Sequence, residues 1–392
     1  MDEVRMVRDS YPEPAPPSAE EIAQVKAMLN APPRRSLPRL RWGLGGGLVA
    51  VGAAATVAIT LTGGNGPSRV PLPGQIDLDA RGAVLAAAQK AEQQPTGKYW
   101  SVDTVAGQSY VIRAKTGTYA ITGAADETFS WHGAKVGMGE AYYGRDLPAH
   151  PLTREDVALW RKAGSPSTFR VPGDGRTNTY TTRVAKWRSS GPEVGANPRG
   201  GGDFLGKSAE ELQNLPTDPA KLAELFLNQN EMSKATGLSA KRALAKDVQA
   251  SAKLFRISGL LRTPLPPKVR AGLMRALAAQ PGIHAIGRAT DPLGRTGVAL
   301  ASGERVVTVT GEFGTPKIEQ GTYRSREVII FDERTGALLS RQDTLTKPGG
   351  RYAEMKPGFV IEYQANRSAG WTDTKPKPPT ELPFGRILGP GW

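Results

Sequence analysis

Residues Trp42 to Thr62, WGLGGGLVAVGAAATVAITLT, run for 21 positions without a charge and follow Arg34, Arg35, Arg39 and Arg41. As a helix rising about 1.5 Å per residue, such a run spans a hydrocarbon core of about 30 Å. Between Pro32 and Arg41 the flank holds four arginines and no acid, whereas Gly63 to Ile76 holds Arg69 as its only charge. The positive-inside rule therefore places the N-terminus in the cytoplasm and everything after residue 62 outside, with Arg34, Arg35, Arg39 and Arg41 as the topology determinants. A cleaved signal peptide is the rival reading, but signal sequences begin with a short basic segment, and here 41 residues with acidic and Pro-rich stretches come first.

The sequence divides into a cytoplasmic arm over 1–41, a transmembrane helix over 42–62 and a Gly/Pro-rich stalk over 63–76. An extracytoplasmic domain over 77–346 has a flexible loop at 189–206, and 347–392 forms a last strand and a Pro-rich tail. In the arm, Ser18 and Glu21 make a capping box, after which Ile22, Val25 and Leu29 recur on one helical face. An arm this short has no core of its own, so it either docks through that face on a partner, the candidate being a cytoplasmic regulator, or stays loose.

Beyond the stalk, a helix opens at Asp77 and carries Val84, Leu85, Ala88 and Ala91. Strand-like segments follow at Tyr99–Val102, Ser109–Arg113 and Thr118–Ile121. Thr153 and Asp156 start another helix, stopped by Gly164 and Pro166. Further helices are expected from Ser208, from Pro219 through to Gly237 carrying Leu222, Leu225 and Phe226, from Ser239 to about Leu261, and after Pro267. The period then changes to two: Ile283–Thr290, Gly297–Ala301, Glu304–Thr310, Val328–Phe331, Leu338–Gln342 and Phe359–Tyr363 read as strands. Antiparallel strands with segregated helices make the exterior an α+β domain on a curved antiparallel sheet with packed helices.

Chemistry is hard to find in this chain. It has no Cys and three His, so the usual zinc sets and a thiol nucleophile are absent, and no G-x-S-x-G elbow marks a serine hydrolase. Lys115-Thr116-Gly117 matches the K-T-G of penicillin-binding proteins without the accompanying S-x-x-K, and reads as a turn. Gly200 to Gly202 lack the G-K-[ST] of a phosphate loop. Asp291 and Arg295 read as partners within a tight turn, and Glu327, Asp332 and Glu333 as flanks of a hairpin. No catalytic residue, cofactor site or metal site is assigned. The aromatics Tyr99, Trp100, Tyr110, Tyr119, Phe129 and Trp131 lie in the first strand group, as sheet core or as the lining of an apolar cleft.

The net charge of +14 would suggest nucleic acid in a cytoplasmic protein, but seven bases and six acids before Trp42 leave nearly all the excess outside. The expected partners are thus the membrane itself, an anionic or apolar envelope ligand and a cytoplasmic regulator, with no nucleic acid.

Several phrases in order carry a resemblance: Gly97-Lys98-Tyr99-Trp100, Trp160 to Pro166, Leu215-Pro216-Thr217-Asp218-Pro219, Gln280-Pro281-Gly282-Ile283 and Asp291 to Val298. They resemble an uncharacterised actinobacterial family of single-pass membrane proteins often encoded near sigma factors. The resemblance implies a membrane-bound, non-enzymatic role associated with sigma-factor regulation. The arm departs from zinc-binding anti-sigma domains in having neither His nor Cys. The outer domain also resembles the lipoprotein-carrier fold shared by RseB, which implies ligand or partner binding without chemistry. A structural envelope protein without signalling and an envelope-acting hydrolase are the alternatives.

Overall fold

The computed structural model describes residues 78–383 apart from 136, 173–176, 192–203, 205–206, 229–245 and 313. All of these belong to the larger of two compact units, Leu44–Trp392. The arm and the 42–62 span lie outside the described residues. Among the described residues, no helix is long and apolar enough to cross a membrane.

The architecture starts from one long hairpin. Strands β1 (Tyr99–Ala114) and β2 (Gly117–Gly133) pair along their whole length across a turn at Lys115 and Thr116, with Gly117 at φ 140°. The short strand segments expected from sequence thus merge into two. Joining them takes the chain through Val105-Ala106-Gly107-Gln108, which has little strand propensity of its own. The site selects Gly107 because a Cβ there would come within 2.5 Å of the Tyr363 ring on the neighbouring strand.

The rest of the main sheet follows as β3 (Glu140–Asp146), β4 (His150–Pro151), β7 (Arg188–Gly191), β8 (Ile283–Thr290), β9 (Thr296–Ser302), β10 (Arg305–Val309), β11 (Gly321–Phe331), β12 (Leu338–Lys347) and β13 (Val360–Thr372). Its order is β7-β3-β2-β1-β13-β12-β11-β9-β8, with β4 on β2 and β10 on β11, and all its pairs are antiparallel. A separate hairpin joins β5 (Thr168–Pro172) and β6 (Thr177–Thr181). Register shifts at Asp103/Thr104, Gln108/Ser109 and Asp343/Thr344 are bulges of the kind that bend a sheet, and the sheet is curved. The first residues of the loop expected at 189–206 belong instead to strand β7, which pairs with β3; strands from both sides of 192–203 share this one sheet, and the last strand lies at its centre, between β1 and β12.

Six α-helices, α1 (Leu78–Glu92), α2 (Arg154–Lys162), α3 (Ala209–Gln213), α4 (Pro219–Phe226), α5 (Lys246–Leu260) and α6 (Pro267–Ala278), and two short 3-10 helices, Lys317–Glu319 and Gly350–Tyr352, complete the described part. Thr153 and Ser208 close the capping boxes read from the sequence, and Asp218 caps α4 before Pro219. The helix expected to run to Gly237 ends at Phe226 with Leu227 as its C-cap; Leu222 and Phe226 are buried and Leu225 is 45% exposed, because an eight-residue helix buries a narrow stripe. Val84, Ala87, Ala88 and Ala91 of α1 and most of α6 pack with Val298, Leu300, Ile329 and Phe331 in the largest core cluster. Small alanines bring α1 close to the β11–β12 turn, where a Cβ on Gly336 (φ 68°) would sit 2.1 Å from the Ala87 carbonyl oxygen.

Candidate functional site

Side chains alternate across a strand, so cross-strand partners share a face. One row of partners therefore runs over the helix-bearing face: Leu300, Ile329, Arg341, Gln364, Ala106, Asp126 and Asp146, from β9 to β3. Leu300 and Ile329 are sealed under the helices, whereas Gln364, Ala106 and Asp126 are half-buried and neighbouring Ala124 is exposed. The face passes from apolar to cationic to acidic within six strands.

The adjacent row holds Glu327, Asp343, Glu362, Gln108 and Ala124, and between the two rows lies an ion network. Arg341 Nη1 donates to Glu327 Oε2 at 3.0 Å and Nη2 to Glu362 Oε1 at 3.1 Å. Arg305 Nη1 donates to Glu327 Oε1 at 3.3 Å and Nη2 to Asp343 Oδ2 at 2.6 Å. Backbone N–H of Glu327 donates to Ser302 Oγ, and Ser325 Oγ donates to Asp343. Burial pushes the Asp343 carboxyl up to about 7; Arg305 pulls against this, and Glu327 and Glu362 add to it. Above the rows, Arg262 donates to Gln364 Oε1, and the Phe255 ring of α5 covers the Arg341 guanidinium at 4.8 Å while remaining 42% exposed.

Two polar atoms of this network, Arg341 Nε and Asp343 Oδ1, are buried without a hydrogen-bond partner among the described residues. Such groups normally find a partner, from protein, water or ligand. At the acidic end of the row, burial first and then the neighbouring Asp146 raise the Asp126 carboxyl to about 6. The arrangement presents fixed charges of both signs beside apolar surface. Among the described residues, no group of three or more His, Asp or Glu is arranged to hold a metal ion.

The residues singled out from sequence meet different fates. Ile22, Val25 and Leu29, and Arg34, Arg35, Arg39 and Arg41, lie outside the described residues. Asp291 and Arg295 do pair, with Arg295 Nε donating to Asp291 Oδ2 at 2.8 Å. Glu327 is no mere hairpin flank: it is buried and bridges two arginines. The aromatics of the first strand group do not line one cleft. Trp100, Tyr110 and Tyr119 fall on the helix-bearing face, and Tyr99, Phe129 and Trp131 on the opposite one. The sequence does not single out Arg262, Arg305, Arg341 and Asp343 as site residues, although Arg341 and Asp343 at alternate positions of one strand share a face, and a charged pair on a strand at the sheet's centre is a signal of a buried polar network.

No protein-family model matches the chain, and no curated protein matches it. Among solved structures it is similar to LprF from Mycobacterium bovis, at 11% identity over 78% of this chain and 99% of that one. The TM-score is 0.22, too low to bear on fold or ligand. None of these comparisons links the chain to sigma factors or to the RseB-like fold.

Proposed function

We propose that this chain is a single-pass membrane protein, N-terminus inside, whose outer α+β domain binds an amphiphilic envelope component without chemistry. Its binding face is the row from Arg341 through Gln364 and Ala106 to Asp126, with Asp343 of the adjacent row. One observation carries this reading: beside an exposed aromatic ring, the face leaves a buried guanidinium nitrogen and a buried carboxylate oxygen without partners. A ligand with a polar group and an apolar body satisfies both features at once. The uncharged 42–62 segment and its arginine flank support the anchor. The 1–41 arm, through Ile22, Val25 and Leu29, meets a cytoplasmic regulator and relays occupancy of the outer domain.

The test is an organic extract of the full chain purified in mild detergent, examined by mass spectrometry. An amphiphile at near-stoichiometric amount is expected, and adding it back at 100 times its Kd stabilises the protein by about 2.7 kcal/mol, read as a rise in Tm. An extract holding detergent alone, with no lipid class from the envelope shifting Tm, contradicts the proposal and leaves a structural envelope protein.

A further inference from the structure

After Thr372 the chain leaves the sheet and runs along the face opposite the helices. Pro376, Pro378, Pro379, Leu382 and Pro383 are half-buried there, whereas Lys375, Lys377, Thr380 and Glu381 are exposed. An extended proline-rich segment has no internal hydrogen bonds, so its carbonyls are free to be read by a partner. Three successive carbonyls of this tail are read. Trp187 Nε1 donates to the Pro379 oxygen at 2.6 Å, and Arg145 Nη1 to the Thr380 oxygen at 3.3 Å. The Glu381 oxygen accepts from Arg145 Nη2 at 2.6 Å and from Arg367 Nη1 at 2.7 Å.

The donors are held in place from beneath. Glu127 is fully buried and accepts from Arg145 Nε at 2.6 Å and from Arg367 Nη1 at 3.0 Å. The Arg145 guanidinium also lies over the Trp187 ring at 4.5 Å, and Lys375 lies over the Trp131 ring at 5.3 Å. An indole N–H and two anchored guanidinium groups, all aimed at main-chain oxygens beside aromatic faces, recognise a conformation rather than particular side chains. That is the chemistry by which aromatic-lined grooves take polyproline segments.

We infer that the surface formed by Trp187, Arg145, Arg367 and Trp131 is a binding groove for a proline-rich peptide segment of another protein, and that residues 376–383 are its resident, displaceable occupant. The argument is independent of the amphiphile site, which lies on the other face of the sheet. Because the tail is tethered, it competes at an effective concentration of the order of millimolar, so the intact chain keeps the groove closed to weak ligands.

The test uses the chain in detergent with a stop codon after Thr374 and a fluorescein-labelled peptide of residues 375–386, followed by anisotropy. The peptide is expected to bind the shortened chain at least about ten-fold more tightly than the intact chain, whose groove is occupied. Trp187→Phe, which keeps an aromatic ring but loses the N–H donor, should weaken binding by about ten-fold. Replacing both Pro378 and Pro379 by Ala in the peptide should weaken it similarly. A shortened chain that keeps its circular dichroism but binds no peptide, or equal binding by intact and shortened chains, overturns the inference. Should the shortened chain lose its fold, the full-length Pro378→Ala, Pro379→Ala, Leu382→Ala variant takes its place. That variant must bind the peptide more tightly than the unaltered chain, and failure to do so overturns the inference equally.

Discussion

Arg341 is the residue on which the buried network turns, because it is the link between Glu327, under the helices, and Glu362, whose side chain is 46% exposed. Replacing it by Met leaves Glu327 buried with Arg305 as its remaining ion-pair partner, and breaking a buried pair from one side costs about 3–5 kcal/mol. Urea denaturation should show a loss of that size, and a smaller one for Arg341→Met combined with Glu327→Leu, which removes the stranded charge. Asp126 makes a prediction of opposite sign. Its carboxyl titrates near 6 in the folded protein and near 4 when unfolded, so between those values the folded state holds a proton that the unfolded state has released. The contribution of this group to stability therefore falls as pH rises from about 4 to about 6 and stays low above that. Asp126→Asn should gain stability relative to the unaltered protein at pH 7 and match it at low pH. Urea midpoints that stay parallel across this range would show that Asp126 carries no such penalty.

Among the elements, α6 is the most deeply buried, and Leu277→Ala there should cost about 2–5 kcal/mol, because the surrounding helices and strands cannot all close onto the gap. Thr153→Ala removes one half of the capping box of α2 and should cost about 0.5–2 kcal/mol, measured in the same way. Helix starts and hairpin turns were legible in the sequence because local chemistry sets them: Thr153, Ser208 and Pro219 begin helices, and Gly117 and Gly336 close turns at positive φ. The length of β1 and β2 was not legible. Their middle is permitted by a tertiary contact, the Tyr363 ring over Gly107, which no local pattern announces. The site was hidden for the same reason. Arg341, Gln364, Ala106 and Asp126 come from four strands separated by as many as 258 residues, and only the order of the sheet makes them neighbours.

For the whole molecule, pairing of β1 with β13 closes the sheet between the start and the end of the described domain, so truncation before Thr372 should prevent folding rather than trim a tail. The segregation of functions also appears at this scale. One face of the sheet carries the helices and the row from Arg341 to Asp126 proposed to take an amphiphile, and the other carries the proline-rich strap. The row can be blocked without touching the buried ion network by enlarging Ala106, which is half-buried between Gln364 and Asp126. Native mass spectrometry of the full chain released from detergent, unaltered and as Ala106→Trp, is the most direct measurement. The account predicts a bound amphiphile on the unaltered chain and at least about a ten-fold lower occupancy on the folded variant. Equal occupancy of the two, or an unaltered chain that carries nothing, would contradict it.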